Sequence, residues 1–344
     1  MRRRYSLAGI LTAAAGLALL AWVVEYVGAA QVVADFRQVG WGIVAIVAIG
    51  GLRFLARAIA WRLCLDPPHR LRLADAFAAV VCGDTIGNVT PLGPLVGEPA
   101  KAAFVRGRVA LGPAITALAI ENVLYTLSAA AMIASGMVAL LFLFELPAPI
   151  RDVGEIAIAA TVLLFAVALW LLWRQPALIS RTLAIVARPD RASRVQRHAA
   201  RVRELEAQIY TFVSRHRAAL PAIASAEIGF HALGVGEVFL TLWLLYGAPP
   251  ALLTAFILET TNRLITVVFR FVPLRLGVDE AATALFTQVI GLGANIGVTL
   301  GIVRKARVLA WTIVGGILLT KEGLGREWGT ERADADRQMT RKVQ

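Results

Sequence analysis

The chain has 344 residues, 58% hydrophobic and 17% charged, with a formal net charge of +12 and a mean hydropathy of +0.70. Soluble domains are about 45–50% apolar and about 25% charged, so this composition excludes an ordinary soluble protein. The Lys and Arg excess does not point to nucleic acid: no motif for it is present, and the basic residues sit between apolar runs, where they orient membrane helices.

In chain order, Arg2-Arg3-Arg4 precede an apolar run from Leu7 to Val27. It is longer than the ~7–15-residue core of a signal peptide and is expected to be an uncleaved first span starting inside. Residues 29–40 predict an amphipathic outer connection. A second span follows from Trp41 to about Leu63 and ends in Arg62, His69, Arg70 and Arg72, an inside signature. It carries Arg53 and Arg57 on one helix face. Arg57 is expected to snorkel toward the inner headgroups; Arg53, a turn deeper, is a candidate for function. Cys64 and Cys82 have neither zinc spacing nor a disulfide framework.

Residues 74–108 interrupt this pattern. Gly83, Gly87, Asn88, Pro91, Gly93, Pro94, Gly97 and Pro99 crowd into a short stretch with basic clusters at both ends. That density of Gly and Pro argues against a continuous helix. The prediction is a re-entrant hairpin entered from the cytoplasm, turning near Pro91–Gly97, its tip facing a cavity because irregular backbone at such depth must be shielded from lipid.

Residues 112–144 predict a long span with Glu121 and Asn122 in its inner third. An acidic outer loop, Glu145 to Glu155, leads to a returning span at 156–173. Residues 174–217 hold ten arginines against three acids, the strongest inside marker in the chain, with a surface helix expected over 190–216. Residues 221–247, with Glu227, His231 and Glu237, cross outward. A second irregular element covers 255–293. Residues 294–319 cross inward with Arg304, Lys305 and Arg307 in mid-segment. The tail from Lys321 holds six basic and five acidic residues and is expected to be cytoplasmic and disordered.

The two irregular elements resemble each other. Asn88, Pro91, Gly97-Glu98 and Glu121 in the first parallel Arg270, Pro273, Gly277, Glu280 and Arg304 in the second. Glu98 to Glu121 spans 23 positions and Glu280 to Arg304 spans 24. The first hairpin follows an inward span and the second an outward one, so the halves are of opposite topology. Inverted repeats with broken helices point to alternating access, with a site at the repeat interface.

Each charge within a span costs at least about 2.5–3.5 kcal/mol on insertion scales. The candidate cavity residues are therefore Arg53, Asn88, Glu98, Glu121, Arg263, Arg270, Glu280 and Arg304. Arginines bind phosphate oxygens in pairs, while glutamates can hold those arginines, bind an amine or carry a proton; structural salt bridges are the competing account. Pro91, Gly97, Pro273 and Gly277 are the expected hinges. No Walker or GxSxG motif and no nucleophile–base pair occur, and His69, His198, His216 and His231 are scattered. No metal, cofactor or catalytic role is expected.

The run Asn88-x-x-Pro91…Gly97-Glu98, Arg106 and Ala119-Ile120-Glu121-Asn122 resembles the lysylphosphatidylglycerol synthase transmembrane-region family, also called flippase-like membrane proteins. Pro273-x-x-x-Gly277-x-x-Glu280 with Arg304, and Leu55 through Leu63 with Arg57, Trp61 and Arg62, are similar to further signatures of that family. Asn122 departs from it, standing where an arginine after the glutamate is common. The resemblance covers about residues 5–320 and implies movement of lipid or lipid-linked material between leaflets. Some members carry a further aminoacyl-transferase domain; only a short tail follows residue 320, so synthase activity is expected to be missing. A subgroup tied to hopanoid biosynthesis has similar length.

The resulting expectation is an all-α integral membrane protein of the bacterial inner membrane. It has about six full transmembrane helices, two re-entrant hairpins, an inverted pseudo-repeat and both termini in the cytoplasm. The transmembrane domain covers 1–320, with halves at about 41–173 and 221–320 joined by the basic connection 174–220, and a tail at 321–344. Its partners are membrane lipids, with a homo-oligomer allowed and no nucleic acid. The expected function is a lipid flippase; the alternative is a membrane enzyme or accessory subunit acting on a lipid.

Overall fold

The computed structural model describes residues 29–90, 93–174, 215–269 and 275–343, together with Glu25, residues 207, 208, 211 and 212, and Val272. The described residues form helices and connecting turns, with no strand. Residues 7–24 of the expected first span and most of the 190–216 helix lie outside them, as do Pro91, Arg270 and Pro273.

Ten helices follow in order: α1 Ala29–Val39, α2 Gly42–Leu63, α3 Leu73–Val89, α4 Gly93–Phe104, α5 Leu111–Leu143, α6 Ala148–Arg174, α7 Leu220–Tyr246, α8 Leu252–Val268, α9 Val278–Val289 and α10 Ala294–Val343. Four are long and apolar enough to cross a membrane: α2, α5, α7 and the Ala148–Trp170 part of α6. Only 17% of the apolar window of α6 is buried in protein. Its Ile156, Val162, Leu163 and Leu169 point outward, as lipid-facing residues of a peripheral span do.

The first irregular element is two packed helices, α3 and α4. Helix α4 begins at Gly93, so Gly97 lies inside a helix rather than in a turn. The glycines serve close packing instead. A Cβ on Gly97 would lie 2.6 Å from the Gly83 carbonyl oxygen, and a Cβ on Gly83 would lie 2.8 Å from that of Gly97. Two bare backbones in contact outweigh the ~1 kcal/mol helix penalty of each glycine. In the second half α8 and α9 are separate helices, and Gly277 at the start of α9 has a positive φ of 76°, a conformation glycine adopts freely.

Two other boundaries differ from expectation. The connection expected on the outside is only residues 144–147, because Pro149 suits a first helical turn; Arg151, Asp152 and Glu155 therefore ride on α6. The backbone of the tail, expected to be disordered, is helical to Val343; residues 331–343 contain neither Gly nor Pro, the two residues that most oppose a helix.

The packing repeats. Exchanging α2 with α7, α3 with α8, α4 with α9 and α5 with α10 maps every substantial packed pair among these helices onto another. Thus α3 packs on α10 as α8 packs on α5, α2 on α3 as α7 on α8, and α2 on α10 as α7 on α5, while α2 and α7 pack on each other. This is the contact pattern of a pseudo-twofold axis between α2 and α7. The symmetry is broken at the short helices. α4 lies against α3 through the glycines above. α9 lies instead against α10, where a Cβ on Gly297 would come within 2.5 Å of Ala284 Cα and one on Gly301 within 3.0 Å of Glu280 Cα.

Candidate functional site

Helices α2, α7, α8 and α10 enclose a buried charge cluster on the pseudo-twofold. Glu259 of α8 is 1% exposed. Its Oε1 accepts from Arg263 Nε at 3.0 Å and faces Arg53 Nη2 at 3.6 Å; its Oε2 accepts from Arg304 Nη2 at 3.3 Å. Glu237 of α7 accepts from Arg53 Nη1 at 2.9 Å and from Arg307 Nε at 2.8 Å. Four guanidiniums thus share two carboxylates, a formal excess of two positive charges. Arg304 Nη1 is buried without a hydrogen-bond partner.

The local sequence makes room for this cluster. A Cβ on Gly234 of α7 would lie 2.5 Å from Glu259 Oε1, and one on Gly50 of α2 would lie 2.8 Å from Arg307 Cδ. The Phe230 ring lies under two of the guanidiniums, 4.8 Å from Arg53 and 4.7 Å from Arg263. Such stacking is worth about 2 kcal/mol when desolvated. Tyr125 of α5 accepts from Arg263 Nη1 at 3.2 Å through its hydroxyl.

A second group lies toward the end of α2 that carries Arg62. Arg57 donates from Nη2 to Glu121 Oε2 at 3.1 Å, pairs through Nε with Glu121 Oε1 at 2.9 Å and stacks on Tyr125 at 3.9 Å. It is 9% exposed. The expectation that Arg57 snorkels is therefore corrected: its partner is a buried carboxylate on the neighbouring helix, reachable without water. Asn122, where an arginine is common, extends this group. It accepts from Arg57 Nη2 at 3.4 Å and donates to Glu98 Oε2 at 2.9 Å, while Lys101 Nζ donates to Glu98 Oε1 at 2.6 Å. The short helix α4 is thereby tied to α5 and α2.

A third group involves α9 and α10. Asp279 accepts from Lys305 Nζ at 3.3 Å and from Arg275 Nε at 3.2 Å. Glu280, fully buried, has Lys305 Nζ at 3.7 Å.

The candidates from sequence thus fall into separate places. Arg53, Arg263 and Arg304 meet around Glu259. Glu121 and Glu98 belong to the Arg57 group and Glu280 to the third. Asn88 donates to Asp84 on its own helix at 2.8 Å and joins none of these. Sequence reasoning did not select Glu259, Glu237 or Arg307. A signal for Glu259 exists: it stands four positions before Arg263, the spacing of an intrahelical ion pair. No group of three or more His, Cys, Asp or Glu able to hold a metal occurs among the described residues.

Comparison with known proteins agrees with this picture. The family model described as "Lysylphosphatidylglycerol synthase TM region" matches residues 6–316. No curated protein and no solved structure matches the chain. The family match spans the pseudo-twofold core and all three charge groups, and the chain belongs to the lysylphosphatidylglycerol synthase transmembrane-region family.

Proposed function

We propose that the protein is a flippase-like transporter that moves an anionic lipid, or a lipid-linked amphiphile with an anionic headgroup, between the leaflets of the bacterial inner membrane. The central cluster is its headgroup site. The observation that carries this reading is the four-arginine, two-glutamate cluster. Buried charge is retained in membrane helices where it marks a substrate pathway or a relay. Here cations outnumber carboxylates, so an arriving phosphate restores neutrality and supplies acceptors for the unmet Arg304 Nη1. Guanidinium forks suit phosphate oxygens.

The repeated packing supports alternating access. Helix α4 leans on α3 and its counterpart α9 leans on α10, so the two halves stand in non-equivalent arrangements. Exchanging them opens the cluster first to one leaflet and then to the other. In this reading the hairpins are re-entrant, six helices cross the membrane, both termini are cytoplasmic and no catalytic group is used.

The test is reconstitution into vesicles carrying fluorescent phosphatidylglycerol. Movement from the inner to the outer leaflet is read by quenching with an impermeant reductant. Lipid movement well above that of protein-free vesicles supports transport. Equal rates contradict it, and product formation from the lipid in detergent favours a membrane enzyme.

A further inference from the structure

Two buried glutamates have both carboxylate oxygens without a hydrogen-bond partner among the described residues, Glu280 and Glu227. Glu280 has an ion-pair partner, Lys305 Nζ at 3.7 Å; Glu227 has none among the described residues. Glu227 of α7 is 2% exposed, and neither of its carboxylate oxygens has a hydrogen-bond partner. One helical turn on, and on the same face, His231 is 7% exposed and its Nδ1 also lacks a partner. Its other nitrogen, Nε2, lies 3.0 Å from Ser128 Oγ. The Ser128 hydroxyl donates to the Tyr125 carbonyl at 2.9 Å, so Oγ receives the Nε2 proton and Nδ1 is left as a bare lone pair.

No donor among the described residues is hydrogen-bonded to Glu227. Arg57 and Cys64 of α2 and Glu121 and Tyr125 of α5 are the groups near enough to act on this site; Arg53 and Arg57 act on His231. Arg57 is held by Glu121 and Asn122 through Nε and Nη2. One cation therefore faces two carboxylates, and Glu227 is the one left without a donor.

We infer that Glu227 and His231 form a proton-binding site that couples lipid movement to a proton gradient. This rests on the transport reading above. A proton from water on one side adds to the Glu227 carboxylate and returns to water on the other side when the site reopens, with His231 Nδ1 as a second buried acceptor one helical turn away. Arg57 supplies the link to movement. Its Nη1 is unpartnered, so a Glu227 that has lost its proton competes with Glu121 and Asn122 for the guanidinium. Asn122 in turn holds Glu98 of α4. Proton release at Glu227 thus loosens the tie on the first hairpin.

The experiment uses vesicles containing the full chain and fluorescent phosphatidylglycerol, with and without an imposed pH gradient. The wild type is expected to move lipid several-fold faster with the gradient. E227D, which keeps a carboxylate, retains that response, and E227Q and H231Q lose it. A gradient response that survives in E227Q overturns the proposal, as does acceleration by a sodium gradient in place of a pH gradient. If the wild type moves no lipid, or if E227Q stops all movement, infrared spectroscopy across a pH titration decides. A carboxylic-acid carbonyl band present in the wild type and missing in E227Q supports the site. The same band in both proteins, or none in the wild type, overturns it whether or not transport stands.

Discussion

Arg53 of α2 donates to Glu237 of α7 at 2.9 Å, a buried bond between the two helices that exchange places under the pseudo-twofold. Its other prong faces Glu259 of α8 at 3.6 Å. One guanidinium thus joins both carboxylates of the central cluster. Removing one partner of a buried ion pair costs about 3–5 kcal/mol, because the other charge is stranded. R53A is expected to unfold at a clearly lower temperature than the wild type in detergent. R53K keeps the charge but not the fork and falls between them. Thermal unfolding of the purified variants checks this; an R53A protein as stable as the wild type contradicts it.

Two glycines of α7 provide a controlled pair. A Cβ on Gly234 meets Glu259 Oε1 at 2.5 Å, while one on Gly236 meets nothing within 4 Å. G234A is expected to push the Glu259 carboxylate off its arginines and destabilise the fold. G236A gains up to ~1 kcal/mol from better helix propensity. Opposite shifts in unfolding temperature are the expected result, and equal shifts would show that the close approach at Gly234 does not matter.

Membrane depth of the first hairpin is open to labelling. Helix α3 has 17 residues and α4 has 12. At ~1.5 Å per residue α3 rises about 25 Å and α4 about 18 Å, both short of the ~30 Å hydrocarbon core. A cysteine replacing Thr90, at the turn, is therefore expected to resist an impermeant maleimide applied from outside. One replacing Arg106, beyond α4, reacts only from the inside. Rapid outside labelling of the T90C protein would make the hairpin a full crossing.

Much of the architecture was legible because apolar length and basic loops are strong signals. The boundaries of α2, α5 and α7 follow from them within a few residues. The hairpins were legible as interruptions but not in detail. Gly83, Gly87 and Gly97 read as helix breakers, whereas they let two helix backbones touch, and sequence alone does not distinguish a glycine that breaks a helix from one that packs it. The site was half legible for a similar reason. Arg53, Arg263 and Arg304 stand out as buried charges, but Glu237 gains its meaning from neighbours 70 and 184 positions away, and Glu259, beyond its local pair with Arg263, from Arg304 45 positions on. Arg57 was misjudged because its distance from the helix end fits snorkelling; the waiting Glu121 lies 64 positions on.

Arg57 also separates charge from geometry. Lysine keeps the positive charge but loses the planar guanidinium that reaches both Glu121 oxygens and stacks on Tyr125 at 3.9 Å. R57K is expected to lose transport by roughly tenfold or more, equivalent to ~1.4 kcal/mol, and the R57K, E121D double variant does not recover it. Full transport in R57K would reduce this group to simple charge balance.

The headgroup site itself is tested most directly by the preference of the reconstituted protein between fluorescent phosphatidylglycerol and phosphatidylcholine, measured for the wild type and for R304Q. Arg304 supplies the unmet Nη1 of the central cluster, and glutamine removes the charge while keeping a polar side chain. The wild type is expected to move the anionic lipid in clear preference, and R304Q to lose that preference. An identical ratio for the two proteins would contradict a headgroup site built on the excess positive charge around Glu259.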